Sequence, residues 1–310
     1  MLTRRFILLL AGSPTIQRFV RRYGMRLGAA RFVAGETLDE CAQVLRRLNQ
    51  SGLMTNTTLL GESVHDETAA EEIVGTYLRI LDRIARDGLI TNPSVKLTHL
   101  GLDISEALAY TNLRRLVEHA AHLRNFVRVD MEDSPRVDPT LRIYRRLCKD
   151  GFTNVGVVLQ SYLHRTENDL VQLLPLRPNL RIVKGAYLEP PQIAFPRKED
   201  VDRNYVRLTE RMLLDAGFTA IATHDGRIIG WAIDFIERHG VPHDRFEFQM
   251  LYGVRPALQL DLVRRGYRVR VATPYGRDWY PYLMRRLAER PANVLFMLRN
   301  LFRDRRSRGP

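Results

Sequence analysis

After Gly52 the chain settles into a single rhythm, and no other feature narrows its possible folds as much. Short β-rich apolar runs alternate with longer amphipathic segments. The strand candidates are 55–61 (TNTTLLG), 94–100 (SVKLTHL), 126–131, 155–160, 180–186, 219–224, 246–251 and 267–273. Between them lie helical patterns such as 66–88, 106–124, 139–151 and 204–217, several closing on the glycine that commonly follows a helix C-terminus. Strict alternation implies right-handed crossovers and a parallel sheet, and eight such units predict closure into an α/β barrel of the (βα)8 TIM type. The rival is an open doubly wound sheet. A dinucleotide-binding version of it would carry GxGxxG after the first strand, which this chain lacks.

Residues 15–49 read as helical before the alternation begins. Thr37 and Glu40 stand at capping-box spacing, and Ser51–Gly52 supplies a stop. The expected organisation is an N-terminal helical arm over 1–52 and a barrel domain over 53–310. Of the net charge of +13, residues 1–52 carry +6 and residues 291–310 carry +4, leaving +3 for the body. A nucleic-acid-binding protein is the different-class reading of this charge. It is weakened because the arginines cluster at the ends without aromatic residues interleaved for base stacking. A basic amphipathic arm suits the surface of an anionic membrane. The apolar run Phe6–Ala11 is too short to span a bilayer. Cys41 and Cys148 are far apart and belong to no metal-ligand cluster, so no metal is expected and a reducing, cytoplasmic compartment is.

In a barrel of this type the active site gathers at the C-terminal ends of the strands. Those ends carry Glu62, Lys96, Asp130 with Glu132, Gln160, Lys184, His224 with Asp225, and Gln249, while Arg181 sits earlier in its strand. Any one of them alone reads as a satisfied structural group. Together they describe a mixed-charge, basic-leaning pocket for an anionic substrate or cofactor. After the last strand, YPYLMRRLAERPANV (280–294) sets Tyr282, Arg285, Arg286 and Glu289 on one helix face. An isolated RRxxE is most often a solvated face of weak surface pairs. At a barrel mouth the same face becomes a substrate-capping helix, and its paired guanidiniums suit a carboxylate. Lys96 and Lys184 also admit a Schiff-base lyase or aldolase.

Seven blocks in order, SVKLTHLGLDIS, VRVDMEDS, VGVVLQSYLHRT, RIVKGAYLEP, ATHD, FEFQMLYGVRP and PYGRDWYPYLMRRLAERPANV, resemble the monofunctional bacterial proline dehydrogenases. They also resemble the dehydrogenase domain of proline utilization A. The resemblance implies a distorted (βα)8 barrel that binds FAD and oxidises L-proline to Δ1-pyrroline-5-carboxylate, the first step of proline catabolism to glutamate. Electrons pass on to a membrane quinone. It implies that Arg285, Arg286 and Lys96 hold the substrate carboxylate, that Asp130 steadies the second arginine, and that Tyr282 lines the slot. Glu62 would close an ion-pair gate with the first arginine. Met131, Gln160, Arg181, Lys184, Gly185, Ala186, Thr223 and His224 would contact the flavin, Arg181 near its N5, with Tyr187 and Glu289 in supporting roles. One position departs from the family pattern. Ala272 stands where a tyrosine usually packs at the far edge of the proline ring, which implies weaker proline affinity or a shift towards 4-hydroxyproline.

Overall fold

The computed structural model describes residues 17–18, 20–21, 24–25, 28–61 and 64–289, without the side chains of 285 and 287–289. The backbone of the body is a closed, all-parallel eight-stranded barrel with strands in sequence order. Its strands are β1 (Met54–Leu59), β2 (Thr91–Val95), β3 (Val127–Val129), β4 (Val155–Gln160), β5 (Asn179–Val183), β6 (Phe218–Ala222), β7 (Phe246–Leu251) and β8 (Val269–Tyr275). Closure is by β1 on β8, with Asn56 opposite Ala272. A helix precedes β1, α1 (Leu38–Gln50). Those that follow the strands are α2 (Glu67–Arg86), α3 (Glu106–His122), α4 (Ser134–Lys149), α5 (Thr166–Leu173), α6 (Lys198–Asp215), α7 (Gly226–His239), α8 (Pro256–Arg264) and α9 (Trp279–Glu289).

Period-two alternation sorts the strand residues onto two faces. Val127 and Val129 of β3, and Phe246, Phe248 and Met250 of β7, are buried in the apolar layer between the strands and the helices. The alternate residues fill the barrel lumen, and many of them are charged. Arg270 donates to Glu247 at 2.8 Å, and Gln249 donates to the same oxygen at 2.5 Å. Burial pushes the Glu247 carboxyl upward, but Arg270 outweighs it and holds the group below its ordinary range. Among the described residues Arg128 makes no ion pair, and it bonds to the carbonyls of Val157 and Asn179. Gly156 on β4 makes the room: a Cβ there would lie 2.5 Å from both the Arg128 Nη1 and the Asn179 carbonyl oxygen.

Three elements differ most from the sequence reading, one of them α6, which starts at Lys198 and not at 204. The second strand runs from Thr91 to Val95, and Leu97–Leu100 is a 3₁₀ turn ended by Gly101 at φ 93°. Pro93 hides this strand, because proline in a central strand normally argues against the assignment. A β-residue uses its N–H towards one side only, so the missing donor leaves the Thr57–Pro93 register intact. Helix α4 starts at Ser134 with Pro135 in its first turn, and carries Pro139 inside. The sequence pattern alone places the start at Pro139.

The expected capping box is present. Thr37 Oγ1 accepts from the Glu40 N–H and Glu40 returns the bond to the Thr37 N–H. Helix α1 packs on β1 and β8 through Cys41, Ala42, Val44 and Leu45. Burial pushes the Cys41 thiol up to about 12, so this cysteine is a packing group and not a nucleophile. A second apolar cluster joins Ala29, Phe32 and Val33 to Trp279, Tyr280, Leu283 and Met284. It seats α9.

Candidate active site

The polar strand ends converge on one mouth. Lys96 follows β2 directly, Asp130 follows β3, Gln160 ends β4, Lys184 follows β5, and Thr223 and His224 follow β6. Gln249 is the exception, lying within β7 with its amide spent on Glu247. A cavity of about 430 Å³ opens at the ends of β1, β2 and β3. Lys96, His99, Glu132, Arg136 and Tyr187 line it, and Asp278 and Pro281 close it from the start of α9.

Arg181 reaches across the lumen from β5. Its Nη1 donates to Asp130 Oδ1 at 2.7 Å and its Nη2 to Ser94 Oγ at 3.2 Å. Its Nε is buried and has no hydrogen-bond partner among the described residues. Burial pushes this guanidinium below its usual range, while Asp130 and then Glu247 oppose the shift. An arginine stays charged under such conditions. The result is a fixed cation at the mouth with one donor unspent. Asp130, expected to steady Arg286, is thus engaged by Arg181.

Lys184 lies between two carboxylates, at 2.5 Å from Asp202 and 3.4 Å from Asp225. An amine held this way serves as a hydrogen-bond donor, which weighs against Lys184 as a Schiff-base nucleophile. Gly185 beside it has φ 109°, and a Cβ there would fall 2.1 Å from the Tyr162 ring. Only glycine fits that backbone. His224 Nε2 accepts from the Leu251 N–H at 2.8 Å, which places the ring proton of the neutral imidazole on Nδ1. The Thr223 hydroxyl accepts from the Asp225 N–H, Gln160 donates to the Glu132 carbonyl, and Met131 is buried.

On α9 the Arg286 guanidinium lies 5.4 Å from the centre of the Tyr282 ring. The Arg286 Nε and the Tyr282 hydroxyl are both sealed from solvent. Arg286 is therefore part of a covered face and not a free surface charge. The side chains of Arg285 and Glu289, and all of Glu62, lie outside the described residues. Ala272 stands on the same face of β8 as Arg270 and is half-buried. That parity turns it into the lumen.

Two residues at the cavity take parts that the sequence did not assign: His99 was not among the site candidates, and Glu132 was one of the strand-end groups with no role given to it. His99 was read as part of a strand. It is 2% exposed, and burial, then Lys96, lower its affinity for a proton. Glu132 stood beside Asp130 without a role. Its carboxylate accepts from the Thr98 N–H and hydroxyl, at 3.1 and 2.8 Å, yet burial pushes its acid form upward. A glycine two positions after His99, with helix-like spacing through Leu97 and Leu100, was the available hint of a turn.

The geometry has close counterparts among known proteins. The family profile described as proline dehydrogenase matches residues 41–299. Proline dehydrogenase 1 of Bacillus subtilis is 43% identical over 300 residues, covering 97% of this chain and 99% of that protein. Proline dehydrogenase of Deinococcus radiodurans is 42% identical over 306 residues, covering 97% and 98%. The crystal structure of proline utilization A from Bdellovibrio bacteriovorus, inactivated by N-propargylglycine, superposes with a TM-score of 0.78 at 25% identity. That match covers 84% of this chain and 32% of the larger protein.

Proposed function

This chain belongs to the proline dehydrogenase family and is an oxidoreductase acting on proline; from that premise we propose that it binds FAD at the barrel mouth and converts L-proline to Δ1-pyrroline-5-carboxylate. What supports the flavin most is the unpartnered, buried Nε of Arg181, a donor in need of an acceptor. Gly185 keeps the backbone beside Lys184 free of a side chain, as its close packing on the Tyr162 ring requires. With Lys184, Thr223 and His224 these residues would hold a flavin. A flavin so held supplies the two-electron acceptor for the hydride that leaves the substrate ring.

The residues do the rest by binding and orientation. Lys96 and Arg286, with Arg285 from the sequence, take the substrate carboxylate, and charge-assisted bonds of this kind are both strong and directional. Fixing the ring in one pose removes much of the entropic part of the barrier. The carbon next to nitrogen releases hydride only when the nitrogen lone pair is free to form the C=N bond. Cations gathered around the carboxylate add positive potential at the amine, which favours its neutral form. Arg181 places a permanent positive charge where negative charge collects as the hydride departs. The bound amine sheds its proton to solvent, and Tyr282 walls the slot.

Ala272 favours a second substrate. A small side chain facing the lumen leaves room at the far edge of the ring, which suits 4-hydroxyproline. For the electron acceptor we infer a membrane quinone, with the basic N-terminal segment attaching the enzyme to the bilayer surface. Among the described residues no helix is long and apolar enough to cross a membrane. The visible absorption of the purified protein tests the central reading. Flavin bands that bleach on anaerobic addition of proline support it, and a colourless protein that takes up no FAD contradicts it.

A further inference from the structure

Arg181 is held by more than its ion pair. Ser94, fully buried on β2, accepts from its Nη2 at 3.2 Å, and the Asn56 amide from β1 donates to the same hydroxyl. Asn56 of β1, Ser94 of β2, Asp130 just after β3 and Arg181 of β5 therefore form one hydrogen-bonded chain that ends on the guanidinium. The geometry of the clamp matters. A guanidinium bound only through Nη1 to Asp130 keeps one rotation about that contact. A second contact, through Nη2, fixes the plane of the fork and with it the direction of the remaining Nε–H. Asn56 in turn fixes the hydroxyl, since a serine free to rotate would define no direction.

A buried amide is a costly way to hold a serine. The Asn56 Oδ1 is itself buried with no partner, and an unsatisfied polar atom inside a protein is destabilising. Exposed surface is not at issue either, because Asn56 is only 1% exposed. The arrangement gains nothing for packing that a small apolar residue would not supply. It does gain direction for one donor.

We propose that Ser94, set by Asn56, is a positioning residue that aims the Arg181 Nε–H at the flavin, an assignment resting on the flavin reading above. Ser94 touches no reacting atom in this scheme. Its effect runs through Arg181, and so it appears in the electronic properties of the cofactor as well as in turnover.

The experiment uses the FAD-loaded, full-length enzyme with Ser94→Ala, Ser94→Thr and Asn56→Ala, each checked by flavin content and thermal melting. Spectroelectrochemistry gives the flavin midpoint potential, and steady-state kinetics separate kcat from KM for proline. For Ser94→Ala the midpoint potential moves to a more negative value and kcat falls about tenfold, as a misaimed donor implies. KM stays within about twofold, since the carboxylate contacts are untouched. Ser94→Thr, which keeps the hydroxyl, restores most of both losses. Asn56→Ala shows the same direction at smaller size. A flavin-loaded Ser94→Ala enzyme with the wild-type potential overturns the proposal. Should Ser94→Ala fail to fold, an unchanged potential in well-folded Asn56→Ala overturns it equally. A wild-type protein that holds no flavin would instead defeat the cofactor reading on which it stands.

Discussion

The indole Nε1 of Trp279 donates to Glu36 Oε1 at 2.7 Å, tying the first residue of the capping helix to the segment just before α1. Trp279 is 1% exposed and shares its apolar cluster with Phe32 and Val33. The chain ahead of the barrel thus sets the position of the helix that closes it, and with it Tyr282 and Arg286. Trp279→Phe removes the hydrogen bond, worth about 1 kcal/mol net, while keeping most of the ring contacts. We expect KM for proline to rise several-fold with kcat and flavin content little changed. Steady-state kinetics and the absorbance ratio of the purified variant check this.

Removing Asp130 leaves Arg181 charged and without its bonded counter-ion, with Glu247 acting on it only at longer range. Breaking one side of a buried pair costs about 3 kcal/mol or more, so Asp130→Ala is expected to lower the chemical denaturation midpoint clearly. Asp130→Asn keeps an acceptor for the guanidinium and loses less. Equal losses in the two variants would show that the charge itself is not what Arg181 requires.

His99 gives the fold a pH dependence whose sign follows from its surroundings. Burial, then the nearby Lys96, hold its folded-state value below the ordinary 6.5. Its contribution is therefore fully present above 6.5 and is lost as pH falls, because the unfolded chain takes up a proton that the folded one refuses. His99→Gln should flatten the fall in melting temperature between about pH 7.5 and pH 5.5. A variant with the wild-type slope would assign that slope elsewhere.

Ala272 offers a direct test of substrate choice. Ala272→Tyr places a ring in the lumen at the far edge of the slot. We expect kcat/KM for 4-hydroxyproline to fall at least tenfold relative to proline, the size of effect expected when a bulky side chain blocks a substituent. An unchanged ratio would mean that this position does not read that edge of the substrate.

The barrel was legible in the sequence because alternation and eight-fold repetition are properties of the chain alone. Two of the boundaries it missed turn on proline: Pro93 masked β2, and Pro139 moved the start of α4. The strand ends of Lys96, Asp130, Gln160, Lys184, Thr223 and His224 were also readable, whereas Gln249 lies within its strand. Who binds whom was not. Asp130, just after β3, and Arg181 on β5 lie 51 residues apart, and only the lumen brings them together. Asp202, which bonds Lys184, comes from the second turn of α6, far from any strand end. His99 needed the 3₁₀ turn after β2, which the pattern of apolar residues alone does not distinguish from a strand.

The measurement that bears most directly on the whole reading is the binding of tetrahydro-2-furoate, a ring carboxylate shaped like proline that has no amine to oxidise. Its affinity can be followed by the change in flavin absorbance in the wild type, in Arg286→Gln and in Lys96→Gln. We expect each substitution to weaken binding about a hundredfold, the loss of a charge-assisted contact in a covered site. Wild-type affinity in both variants would mean that the carboxylate is held elsewhere, and that neither the cation on the capping helix nor the one beside β2 faces the substrate.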